Sequence, residues 1–173
     1  MRLFACDRCD NPVHFDNTVC LGCGRRLGYR PEAFAMAALE PLSDGRWTVS
    51  ADGSDRFLCT NAEVDACNWL LEPGAAPGPC RACRHNRTIP DLSVAADLDA
   101  FRRIGLAERQ LFYSLMRWRL AAPTRAEDAA AGLAFDFLAA EIGPDGTPVP
   151  VVTGHADGII TLATAEADDV ERE

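Results

Sequence analysis

Lysine is absent: all seventeen basic side chains among the 173 residues are arginine. Together with the alanine-rich stretches, this reflects the base composition of the gene rather than a chemical requirement. No run of 18 apolar residues occurs, which excludes a membrane-spanning helix and leads us to expect a soluble chain. The N-terminus from Met1 to Cys6 has no apolar h-region and no cleavage site. Disulfides of an oxidising compartment are therefore not expected, and the expected location is the cytoplasm. Only three histidines are present, His14, His85 and His155, too scattered to form a pair one helical turn apart.

Cysteine is plentiful, and its spacing is the strongest signal in the chain. Cys6 and Cys9 form one Cys-x-x-Cys turn, and Cys20 and Cys23 form another after ten intervening residues. Each turn presents two thiolates from a tight loop, and two turns facing each other across a short hairpin make the tetrahedral sulfur cage that Zn²⁺ prefers. Gly22 and Gly24 flank the last ligand, where the turn needs positive φ or close backbone approach to sulfur. The second quartet is Cys59, Cys67, Cys80 and Cys83, with seven, twelve and two residues between successive members. Its spacing is irregular but usable, and the two quartets consume all eight cysteines. Two structural Zn²⁺ sites are predicted, although spacing does not distinguish zinc from a single iron in the same cage. His85 is placed to replace a thiolate in the second site, but it reads as an exposed histidine, as does His14. Covalent haem is excluded, because Asp10, Gly24 and Arg84 follow the second cysteines of the three Cys-x-x-Cys turns where a histidine is required.

The formal charge of −9 is unevenly distributed. Arginines concentrate in residues 1–30 and 81–119, whereas residues 121–173 are strongly acidic. Arg25 and Arg26, just after the last ligand of the first quartet, are positioned to touch phosphate. Overall acidity opposes nucleic-acid binding, however, and no aromatic-and-basic interleaving suited to stacking bases lies near the knuckles.

Three segments are predicted. Residues 1–30 form a zinc ribbon, too small to fold on apolar burial alone and held by metal binding worth on the order of 10–16 kcal/mol. Residues 31–90 form a small β-rich module around the second four-cysteine site, with strands over 35–40, 46–50 and 55–59 separated by the turn-rich 43–45 and 52–54. The Pro/Gly-rich stretch 72–79 is a loop that delivers Cys80 and Cys83. Residues 91–173 form an α+β segment. Apolar Leu98, Phe101, Leu111, Phe112, Leu115 and Met116 predict an amphipathic helix over about 95–120, bent or split at Gly105. Pro123 ends it, and a capping box from Thr124 to Glu127 predicts a second helix running to Ile142. An edge strand is expected over 147–153, a turn over 154–158 and a second strand over 158–163. A helix is expected to open at Ala165, continuing past Glu173 in a longer protein. His155 beside Asp157 reads as a local hydrogen bond rather than a general base. Glu166, Asp168, Asp169 and Glu171 read as a solvated helix start rather than a metal site.

The two Cys-x-x-Cys turns of the first quartet, Cys80-x-x-Cys83 leading into the segment from Asn86 to Asp91, and the segment from Gly154 to Asp168 together resemble the bacterial zinc-ribbon-bearing zinc metallopeptidases of zincin-like type. The resemblance runs the length of the chain and is most specific in its last two segments. It implies a ribbon, a second metal module, and two helices and a β-hairpin forming the front of a zincin-like domain. In that family a His-Glu-x-x-His helix follows the segment matching Gly154 to Asp168. Its histidines hold the catalytic zinc, and its glutamate activates water. That motif is absent here, so no catalytic residue is assigned. The resemblance also implies that the strand from Gly158 to Ala163 is an edge strand aligning a peptide or protein substrate. The alternatives are a standalone zinc-stabilised interaction module and, less favoured by charge, a nucleic-acid-binding ribbon.

Overall fold

The computed structural model describes residues 3–168. The chain divides into two compact units, Met1–Cys83 and Arg84–Glu173. Both cysteine quartets lie in the first unit.

In the first unit, β1 (Phe4–Ala5) pairs antiparallel with β2 (Pro12–Val13). A four-stranded antiparallel sheet follows in sequential order: β3 (Arg26–Arg30), β4 (Ala35–Pro41), β5 (Trp47–Val49) and β6 (Asp55–Arg56). Strands near 35–40, 46–50 and 55–59 were expected, whereas β3 was not. It links the ribbon to the module, with Leu27 and Tyr29 fully buried on one face. Gly28 lies on the other face, where a Cβ would come 2.9 Å from the Leu70 side chain and 3.0 Å from Leu39. Residues 68–71 pair on both sides. Tyr29 N–H donates to Asn68 O, Leu70 N–H to Tyr29 O, Cys59 N–H to Trp69 O and Leu71 N–H to Phe57 O. This segment joins the outer edge of β3 at Tyr29 to the continuation of β6, closing the backbone ladder into a ring.

Ala37, Leu39, Val49 and Leu70 are the centre of this ring, with Trp47 and Leu58 packed against them. On the other face of β3, Tyr29 meets Phe15 at 4.8 Å and Trp69 at 5.0 Å between ring centroids, and Phe4 stands edge-on to Tyr29 at 6.1 Å. This aromatic cluster ties the ribbon to the sheet.

The second unit contains β7 (Asn86–Thr88), α1 (Ala95–Arg117), β8 (Ala134–Leu138), β9 (Glu141–Ile142), β10 (Pro148–Val149), β11 (Gly154–Ala156) and β12 (Ile159–Ala163). Its main sheet has the order β11-β12-β8-β7, with β7, β8 and β12 parallel and β11 antiparallel. The parallel β7 and β8 require a crossover, and α1 supplies it. The helix is continuous. Gly105 does not split it but lies buried on the packing face with Phe101, Ile104 and Phe112. Phe101 meets Phe137 at 6.2 Å and Phe112 meets Phe135 at 6.3 Å, both partners on β8.

One α-helix is present among the described residues, not two. The capping box of Thr124 and Glu127 does form: Thr124 N–H donates to Glu127 Oε2 at 2.8 Å, and Glu127 N–H to Thr124 Oγ1 at 3.3 Å. It closes a turn, however, and the chain enters β8 at Ala134. The burial of Phe135 and Phe137 between β7 and β12 outweighs the helix propensity of the preceding alanines. Gly132 makes this turn possible, since a Cβ there would lie 2.2 Å from Asp128 O and 2.4 Å from Thr124 O.

The tail differs in detail from expectation. Only Pro148–Val149 of the expected strand over 147–153 is paired, with β9. Gly154–Ala156, expected as a turn, is a strand, and the turn narrows to Asp157 and Gly158, with φ of 50° and 77°. Two residues of positive φ make the tight connection that matches strand twist. β12 is flanked by β11 and β8, so the strand from Gly158 to Ala163 is interior rather than an edge. Thr164–Ala167 is a 3₁₀ turn with no side-chain cap, and Asp168 returns to extended backbone. An α-helix therefore does not open at Ala165, and its expected continuation falls outside the described residues.

Candidate metal centres

The first quartet is built by two nearly equivalent knuckles. In one, Cys6 N–H donates to Asn11 O and Asp10 N–H to Cys6 O, each at 2.9 Å. In the other, Cys20 N–H donates to Arg25 O at 2.9 Å and Gly24 N–H to Cys20 O at 2.8 Å. The residue after the second cysteine is left-handed in both, Asp10 at φ 57° and Gly24 at φ 71°. The knuckles touch at Gly22, where a Cβ would lie 2.8 Å from that of Asn11. Sγ separations are 3.9 Å for Cys6 and Cys23 and 3.6 Å for Cys9 and Cys20.

The second quartet gathers three separate stretches of chain. Cys59 precedes the 3₁₀ turn Thr60–Ala62, Cys67 leads into the ring-closing segment, and Cys80 and Cys83 follow the Pro/Gly-rich loop. Cys67 Sγ lies 3.7 Å from Cys80 Sγ. Two backbone amides aim at sulfur: Trp69 N–H at Cys67 Sγ, 3.4 Å, and Cys80 N–H at Cys59 Sγ, 3.3 Å. Such donors offset the negative charge that thiolates carry into a buried site. Spacing did not announce them, because they depend on where the ring-closing segment runs.

Each set of four ligand atoms lies within 4.8 Å of one another. Sulfurs held about 2.3 Å from a tetrahedral ion are about 3.8 Å apart, so both cages have the dimensions for Zn²⁺. With four thiolates each, they leave no open position for substrate or water.

Protons are unevenly shared within each cage. Burial disfavours the Cys20 thiolate, but backbone N–H groups of Cys23 and Gly22 and the neighbouring thiols bring its pKa down to about 7. Cys9 has a backbone hydrogen bond from Asn11 that favours its thiolate, yet desolvation and the other three sulfurs push it up to about 12. In the second cage, hydrogen bonds from Cys67, then Cys80 and Cys83, hold Cys59 far below the usual thiol range, while burial above all pushes Cys80 well up. A divalent cation takes the place of these protons, so loading releases them.

The other predicted candidates lie apart from the cages. His85 is buried, not exposed, with Nδ1 3.0 Å from Leu133 O and its ring 4.5 Å from that of Phe112. His14 is exposed, as are His155, Glu166 and Asp168. Asp169 and Glu171 fall outside the described residues. Among the described residues, the two cysteine quartets are the groups of three or more His, Cys, Asp or Glu ligands able to hold a metal ion.

Comparison with known proteins agrees with this geometry. Residues 3–94, which contain both quartets, match a zinc-ribbon domain model, and residues 97–173 match the model described as "Putative zinc-binding metallo-peptidase". The chain belongs to the zinc-ribbon family whose model spans residues 3–94, and its second half is similar to the peptidase model. Similar proteins include the uncharacterized proteins Rv2568c of Mycobacterium tuberculosis and Mb2598c of Mycobacterium bovis. Each is 35% identical over 173 residues, covering 100% of this chain and 46% of the relative. The chain thus spans about half the length of the curated relatives it matches. No solved structure matches it. Residues 1–173 carry both cysteine quartets and no His-Glu-x-x-His motif. No helix among the described residues is long and apolar enough to cross a membrane.

Proposed function

We propose that this chain is the metal-stapled, non-catalytic part of a zinc metallopeptidase. Cys6, Cys9, Cys20 and Cys23 would hold one structural Zn²⁺, and Cys59, Cys67, Cys80 and Cys83 a second. The observation that carries the reading is the pairing of two closed four-sulfur cages with a parallel sheet bordered by one antiparallel strand, in a chain whose second half matches the peptidase model. The cages organise the first unit, and neither supplies an open coordination position for hydrolysis.

An extended peptide would dock at β11 rather than along the strand from Gly158 to Ala163, whose two sides are taken. Ala156 and Ile159 close the two-residue hairpin and exchange hydrogen bonds, so the next pair, His155 and Ile160, does not. The N–H and C=O of His155 therefore point away from β12, toward the open side of the sheet, where a substrate backbone can add as a further strand.

Residues 1–173 alone are expected to bind zinc and cleave no peptide. In the full-length protein, His155→Pro removes the outward N–H while sparing the hairpin, and peptide cleavage is expected to fall roughly two- to tenfold, the worth of one hydrogen bond. Zinc content should be unaltered. Cleavage at the wild-type rate would exclude β11 as the docking edge, and cleavage by residues 1–173 alone would exclude the non-catalytic reading.

A further inference from the structure

The two cages differ sharply in exposure. Cys59, Cys67 and Cys80 are each 1% exposed and Cys83 5%, so all four residues of the second cage are buried. In the first, Cys6 and Cys20 are buried, but Cys9 is exposed and Cys23 half-buried. Attack by a dissolved oxidant requires a thiolate that the oxidant can reach. Only the first cage offers one, and the Cys20 sulfur of the opposite knuckle is 3.6 Å from Cys9 Sγ.

We propose that the first cage is an oxidation-sensitive site, entered at Cys9 by a hydroperoxide and resolved by Cys20, while the second is a permanent structural staple. The inference rests on the reading that both quartets hold Zn²⁺. The Cys9 thiolate attacks one oxygen of hydrogen peroxide and breaks the O–O bond, giving a sulfenic acid and hydroxide. The Cys20 thiolate then attacks the sulfenic sulfur, forming the S–S bond and expelling a second hydroxide. Both hydroxides take up protons. Two thiolates lose two electrons in all, peroxide is reduced to two waters, and the ion, left with two of its four ligands, departs.

The loss would be felt within the first unit. The knuckles bracket the segment carrying Phe15, and Phe4 lies just before Cys6, so the cage fixes two members of the cluster around Tyr29 and the fully buried Trp69. Release of the ion frees that side of the cluster while the ring around the second cage persists.

The test uses zinc-loaded protein treated with hydrogen peroxide, a chromogenic chelator to time zinc release, and alkylation with peptide mass mapping to locate oxidised cysteines. The first equivalent of zinc is expected to leave at least roughly tenfold faster than the second, as thiolate accessibility demands, with a Cys9–Cys20 disulfide that a dithiol reverses. Cys9→His keeps a ligand but cannot form the disulfide, and it is expected to slow release of that equivalent to the rate of the second. Should this variant fail to hold metal, mapping of the wild-type protein decides alone. Equal release rates, first oxidation at Cys59, Cys67, Cys80 or Cys83, or an unmodified Cys9 would overturn the proposal. Fewer than two zinc ions in untreated protein would instead overturn the metal reading beneath it.

Discussion

Arg87 on β7 clasps the carboxylate of Asp136 on β8, Nε to Oδ1 at 2.9 Å and Nη2 to Oδ2 alongside. The fork binds the two strands side by side and lets an acid sit buried at the middle of a sheet whose neighbouring positions are phenylalanines. The guanidinium, foremost, holds the Asp136 carboxyl below its usual range.

That depression sets a pH dependence. A carboxylate whose folded pKa lies below its unfolded value of about 3.9 contributes stability that is complete above that pH and is lost as pH falls through the folded value. Arg87→Gln is therefore expected to unfold more readily than wild type at neutral pH, with the two converging in strong acid. Denaturant titrations followed by circular dichroism at several pH values check it; a pH-independent difference would mean that the pair acts through packing alone.

Metal removal should unfold the first unit selectively. Binding worth on the order of 10–16 kcal/mol per structural ion is also folding free energy, so a strong chelator is expected to abolish the sheet around Trp69. Cys59→Ser should retain one zinc per chain instead of two, as measured by metal analysis. Because loading displaces thiol protons, chelation should become easier as pH is lowered.

Gly132→Ala is expected to destabilise the second unit by about 2–4 kcal/mol, because the new Cβ meets two carbonyl oxygens that hold the turn before β8. Gly158→Ala should act in the same direction: its φ is 77°, and its Cβ would lie 2.4 Å from Gly132 O. Thermal melts of the two variants test this close approach.

Thr124→Ala should cost about 0.5–2 kcal/mol, the usual worth of such a cap, and leave the helical circular dichroism signal unchanged. A loss of helicity would show that the capping box starts a helix rather than a turn.

Much of the metal architecture was legible in the chain because a Cys-x-x-Cys turn is local. Its reverse geometry follows from a handful of residues, and counting cysteines left none for other chemistry. The strands at β4, β5 and β6 and the helix α1 announced themselves through turn residues and period. β3 did not, because Arg26 to Arg30 reads as the tail of a knuckle until Trp69 and Leu70 are seen pairing with Tyr29. The exposed reading of His85 failed for the same reason, since Leu133 and Phe112, which enclose it, are distant in sequence.

By itself the sequence determined the eight candidate ligands, their division into two quartets, and the absence of a one-turn histidine pair, all of which depend on residue identity and spacing. Only the tertiary structure decided that the chain after Thr124 turns and enters β8 at Ala134 instead of forming a helix, that the strand from Gly158 to Ala163 is interior, and that one cage is buried while the other includes an exposed cysteine. Those outcomes turn on which surfaces meet across long loops, where the burial of a few phenylalanines outweighs local propensity and no local pattern records the partner.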